Sequence, residues 1–195
     1  MIKKIIFFTI FIIAALCLIS CIKIFQREER IYFRRRERKY ITKNEKIKLV
    51  KENIGVSIEF SNEIYYDIGE TQYKNNYTYP YILNEVVNFL KDNEDIFLII
   101  EGHADALAYK NKKVNYMVSV NRALIAKNYI IEYIDEERIK TYAYSDTKPK
   151  YEDEKDKNRR VDFIIIENEK ELKEYDNFYS NYMKDFLIEI GLTNR

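Results

Sequence analysis

The run Ile96, Phe97, Leu98, Ile99, Ile100 constrains this chain most. It is uninterrupted by polar residues, partly β-branched and only as long as a strand, so it reads as a central strand covered on both faces. Such a strand needs apolar layers above and below it, and the flanking sequence offers them. Upstream, Ile82, Leu83, Val86, Phe89 and Leu90 fall on one helical face, with Thr78 as the cap and Pro80 in the first turn. That helix is expected to stop near Asp92 and Asn93. Downstream, Val120, Ala123, Leu124, Ile131 and Ile134 recur at helical spacing, and Ser119 is the candidate cap.

Strand signals complete the pattern. Val56, Ile58 and Phe60 alternate with Ser57 and Glu59, and a second short apolar run holds Ile64, Tyr65 and Tyr66. Residues 139–144 and 161–166 are strand-like and are separated by a charged loop containing Pro149. The order β-α-β-α-β-β predicts an α+β fold: a mixed sheet with two helices on one face and a right-handed crossover joining its parallel pair. Beyond it, Leu172, Tyr175, Phe178, Tyr179, Tyr182, Phe186 and Ile190 form an aromatic stripe on a third helix ended by Gly191. That stripe is expected to dock on the domain or on the segment preceding it.

With 195 residues, 47% of them hydrophobic, the chain supports one buried core with appendages. Lys+Arg 33 against Asp+Glu 32 leaves a net charge of +1, so no global field argues for a nucleic-acid partner. Charge arguments must therefore be local.

At the amino terminus, Lys3 and Lys4 precede an apolar run over residues 5–18, shorter than the ~20 residues a spanning helix needs. This reads as a signal sequence. It ends in Leu18-Ile19-Ser20-Cys21, which resembles the lipobox of bacterial lipoproteins. The resemblance implies cleavage before Cys21 and lipidation of that cysteine, and with Cys17 discarded no disulfide remains within the mature chain. Ile22, rather than an aspartate, follows the cysteine, which in lipoproteins of this kind implies the outer membrane. Residues 21–54, with Arg34-Arg35-Arg36-Glu37-Arg38-Lys39 and further lysines, read as a charged tether. The expected organisation is a signal peptide at 1–20, the tether at 21–54, a folded domain at 55–167 and a helical extension at 168–195.

Within that domain, Glu101-Gly102-His103-Ala104-Asp105 is followed by Asn115, then by Val118-Ser119-Val120-Asn121-Arg122-Ala123, and finally by Asn158-Arg159-Arg160-Val161. These elements, in this order, resemble the OmpA-like peptidoglycan-binding domain, and Ile64 to Glu70 resembles that family's opening strand and turn. The resemblance implies a non-catalytic module that binds diaminopimelate of the peptidoglycan stem peptide. Asp105 would take the ligand ammonium and Arg122 its carboxylate, Asn115 would add an amide contact from a loop, and Arg159 would line the pocket. An acid and an arginine suit a zwitterion because charge-assisted hydrogen bonds are strong and Arg can engage both carboxylate oxygens.

The sequence departs from the family pattern at several positions. Ala104 stands where threonine is usual, Val118 where leucine is, and Ala143 and Ser145 where a Gly-Tyr-Gly motif has glycines, which points to altered backbone there. His103, the sole histidine, is expected to be packed near the site, without cofactor or metal. Two other classes stay open: a wall-binding component of a motor or secretion machine, and a metal-dependent hydrolase using His103 and Asp105.

Overall fold

The computed structural model describes residues 40, 47–60, 65–71, 78–106 and 111–193. Its elements run β1 (Ile47–Lys51), β2 (Val56–Phe60), α1 (Thr78–Asp92), β3 (Phe97–Gly102), α2 (Lys112–Ile130), β4 (Ile139–Ala143), β5 (Val161–Ile166) and α3 (Glu169–Glu189). All of them lie in the unit Ile41–Arg195. The signal, Cys21 and most of the tether lie outside the described residues. Among the described residues, no helix is long and apolar enough to cross a membrane.

The strands form a mixed sheet in the order β1-β2-β5-β3-β4. β3 pairs antiparallel with β5 and parallel with β4, so α2 is the crossover helix that the topology requires. As the apolar run predicts, Leu98, Ile99 and Ile100 of β3 are completely buried. Their alternation feeds two layers. On one face a Cβ added at Gly102 would meet Ser119 and Ala123 of α2, so that face lies under α2. On the other, Ile99, Ile164 and Ile166 cluster with Leu172 and Tyr175 of α3. The aromatic helix therefore docks on the domain, against the opposite sheet face. Each buried side chain of this size stabilises the docking by roughly 1.5–3 kcal/mol.

α1 follows its predicted face, with Ile82, Leu83, Val86, Phe89 and Leu90 all buried. The helix opens at Thr78 and ends at Asp92. The capping expected of the Thr78 side chain lies outside the described residues.

Two expectations change. The sheet begins at Ile47, inside the stretch read as tether, because β1 pairs in register with β2 from Ile47↔Phe60 to Lys51↔Val56. Its lysines disguise it: Lys48 and Lys51 are exposed, the usual protection of an edge strand against further pairing. The segment around Tyr65 contributes only an isolated bridge, Tyr65↔Arg160, in place of an opening strand; Ile64 lies outside the described residues.

α2 differs more. It starts at Lys112, capped by Asn111, whose side chain accepts from the backbone of Lys113 and Val114. Ser119 lies two turns inside the helix; its hydroxyl donates to the Tyr116 carbonyl and accepts from the Ser145 backbone N–H. The pattern misleads because the inward face is mixed, burying Asn115, Ser119 and Arg122 beside Val118, Ala123, Ala126 and Ile130, whereas Met117 and Leu124 are exposed.

Candidate ligand-binding site

The site starts at the carboxyl end of β3. A Cβ on Gly102 would sit 1.9 Å from the Ser119 carbonyl oxygen, so only glycine lets α2 approach the strand this closely. One turn further along α2, that approach carries Arg122 to the backbone of His103. The guanidinium is fully buried. Its Nη1 donates to the His103 carbonyl at 2.7 Å, its Nε and Nη2 donate to the Glu70 carbonyl at 3.0 and 2.8 Å, and Nη2 also reaches the Asp67 carbonyl at 3.3 Å. The guanidinium lies 4.5 Å from the centre of the Tyr66 ring. These are neutral partners for a charge. Burial pushes Arg122 down to about 10 and the neighbouring Arg159 adds to that, while Tyr66, Asp105 and Glu70 pull the other way.

Asp105, two residues beyond His103, is 2% exposed. Its carboxylate accepts a hydrogen bond from Nη1 of Arg159, and Nε of Arg159 donates to the Tyr66 carbonyl at 2.7 Å. The Arg159 side chain keeps 13% of its surface exposed, so this ion pair touches solvent through the arginine. Both arginines thus contact Tyr66, one on its ring and one on its carbonyl, with Asp105 beside them. Three of the four expected residues meet. Asn115 does not sit in a loop: it is buried in the first turn of α2, on the face of Arg122 but about 10 Å along the axis at 1.5 Å per residue.

The Ser145 position also bears on the site. Its φ is 52, the left-handed conformation that glycine favours, so serine occupies a backbone suited to the family's glycine. Hydrogen bonds hold it there: Ser145 N–H donates to Ser119 Oγ at 3.1 Å, and its carbonyl accepts from Ala104 N–H at 2.7 Å.

The OmpA family matches residues 65–162, just over half of the chain and the stretch that carries all four site positions. The chain belongs to the OmpA family. No curated protein matches it. Among solved structures, the periplasmic domain of MotB from Helicobacter pylori is similar, with a TM-score of 0.52 at 18% identity, covering 73% of this chain and 95% of that one. An outer membrane protein from Borrelia burgdorferi B31 gives 0.48 at 22% identity, over 63% and 99%. The peptidoglycan-associated lipoprotein from Burkholderia pseudomallei gives 0.47 at 18% identity, over 54% and 90%. At these identities the likeness speaks for the fold, and of the three it is the MotB domain that carries it.

In this OmpA-family domain the sequence reading missed a buried charge network behind the site. Glu101 and Asp162 stand opposite each other in the β3–β5 register, two acids side by side. Cations answer them: Lys148 donates to both Glu101 oxygens at 2.8 Å, and Arg160 Nε donates to Asp162 at 3.1 and 2.9 Å. Between them, Nε2 of His103 lies 3.2 Å from each carboxylate, and Tyr175 of α3 donates to Glu101. Burial pushes both acids up, but His103 and Lys148 bring Glu101 below its ordinary value, and Arg160 with His103 does the same for Asp162. A visible signal existed: an acid directly after five apolar strand residues is a buried charge that demands a partner.

Glu101, His103 and Asp162 are close enough to be considered as metal ligands. The chemistry does not fit. Lys148 and Arg160 already neutralise the carboxylates, and Nε2 serves both acids by carrying a hydrogen. Binding a metal through Nε2 would put that hydrogen on Nδ1, which is buried with no hydrogen-bond partner.

Proposed function

We propose that this chain is a non-catalytic, lipid-anchored envelope protein that holds peptidoglycan through the diaminopimelate of its stem peptide. Asp105 takes the ligand ammonium and Arg122 its carboxylate, while Arg159 lines the same pocket and Asn115 adds an amide contact to the stem peptide from the first turn of α2. Cys21 carries the lipid, in the outer membrane, after removal of residues 1–20. The mature chain links that membrane to the wall.

The observation that carries this reading is the convergence of Arg122 and Arg159 on Tyr66, with Asp105 paired to Arg159, from three separate parts of the chain. A buried guanidinium whose hydrogen-bond partners are carbonyl oxygens has an electrostatic demand that an incoming carboxylate meets. Because Asp105 and Arg122 are covered, binding proceeds by exchange: the ligand ammonium displaces Arg159 from Asp105, and the space Arg159 vacates lets the ligand carboxylate reach Arg122. Arg159 is the member of the pair with surface to move.

One amino acid terminus offers few contacts, so each site binds weakly; many tethered copies facing a polymer raise the effective concentration. The test is a sacculus pull-down with the wild-type chain, Asp105→Ala and Arg122→Ala, with circular dichroism on each. Retention by wild type and loss in folded variants supports the reading. Retention of both folded variants at the wild-type level contradicts it.

A further inference from the structure

α3 begins at Glu169, beyond the stretch matched by the family, and covers the sheet face opposite α2. It nevertheless reaches the residues that hold Arg122. The Tyr175 hydroxyl, on a side chain 3% exposed, donates to Oε1 of Glu101, whose other oxygen lies 3.2 Å from Nε2 of His103. The His103 carbonyl accepts Arg122 Nη1 at 2.7 Å. A second route runs beside the first. The Tyr175 and Tyr144 hydroxyls are 2.9 Å apart, and the Tyr144 ring stacks on the His103 ring at 5.5 Å and 7°. α3 therefore grips His103 twice.

We propose that α3 is part of the binding apparatus, with Tyr175 a positioning residue that sets Arg122 and Asp105 through Glu101 and His103. This rests on the reading of that pair as the ligand contacts. The side chains of residues 101 and 103 are fixed from the α3 side, while the carbonyl of residue 103 fixes the arginine on the other. Asp105 follows two residues later on the same backbone. Close-packed interiors pass such displacements on instead of absorbing them, and a charged pair gripping a small ligand loses affinity with sub-ångström misplacement. The aromatic helix acquires a role beyond stabilising the sheet.

The test compares Tyr175→Phe with Tyr182→Phe in the full-length chain. The first keeps the ring and deletes the hydroxyl on Glu101; the second deletes a hydroxyl on the same helix that donates instead to the Thr147 carbonyl. Two quantities are read: affinity for a diaminopimelate-containing muropeptide, and the Arg122 Nε–H NMR resonance without ligand. The proposal expects Tyr175→Phe to weaken binding about fivefold, within the range of coupling through packed networks, and to move the resonance, with Tyr182→Phe matching wild type in both. An unmoved Arg122 resonance in Tyr175→Phe overturns it, whatever the binding shows. If wild type itself fails to bind, the peptidoglycan reading falls, and the resonance alone still decides whether α3 positions Arg122. Should Tyr175→Phe fail to fold, 3-fluorotyrosine at position 175 keeps ring and hydroxyl but changes its acidity, and the same resonance is read.

Discussion

Arg122 is a structural hub as well as a candidate site residue. Its guanidinium gathers the carbonyls of Asp67, Glu70 and His103, three backbone points that belong to two segments of chain. A lysine carries the charge but not the fork, and cannot span them. Arg122→Lys is expected to destabilise the domain by ~2 kcal/mol, the scale of losing one or two charged hydrogen bonds. For a chain of this length that corresponds to a melting temperature about 5 °C lower, measured by thermal unfolding. An unchanged melting temperature would mean that the carbonyl contacts contribute nothing. The sequence marks Arg122 by its motif, but not its burial, because a charge on a helix normally reads as solvated.

At the scale of elements, the β3–α2 contact sets the site, and Gly102 sets the contact. Gly102→Ala forces a methyl group against the Ser119 backbone, where no flexible side chain can give way. α2 must move off the sheet or the fold must open. A loss of about 2 kcal/mol or more is expected from overpacking of this kind, together with a displaced Arg122, seen in unfolding curves and in the Arg122 NMR resonance. The elements themselves were readable where burial followed one period. β3, β5 and α1 announced themselves through unbroken or regularly spaced apolar residues. α2 did so only in part: the helix was expected, but its start at Lys112 and the polar positions Asn115, Ser119 and Arg122 on its buried face were not. β1 was hidden by edge lysines. Both misses fall where another demand overrides the apolar pattern, hydrogen bonding to the neighbouring backbone in one case and edge protection in the other.

Over the whole molecule, two sets of buried groups define a pH window. Burial alone would raise Glu101 and Asp162, but His103, Lys148 and Arg160 hold them below their ordinary 4.5 and 3.8. Depressed carboxylates contribute stability that is present above the unfolded values and is lost as pH falls through the folded ones. Burial pushes the tyrosines of the α3 interface, Tyr142, Tyr144, Tyr175 and Tyr179, above their ordinary 10.0. Raised acids contribute stability below the unfolded value that is lost as pH climbs above it. The melting temperature is therefore expected to be level at neutral pH, falling below about pH 4.5 and again above about pH 10. A melting temperature that stays level through either limit would contradict the corresponding buried network.

In the proposed reading, Asp105 and Arg122 together recognise a zwitterionic amino acid terminus. Titration of the full-length chain with two stem peptides, identical except for diaminopimelate in one and lysine in the other, tests it most directly, because lysine keeps the side-chain ammonium and lacks the carboxylate. The diaminopimelate peptide is expected to bind about tenfold or more tighter, the worth of one charge-assisted contact to a guanidinium. Equal affinity for the two peptides would contradict it.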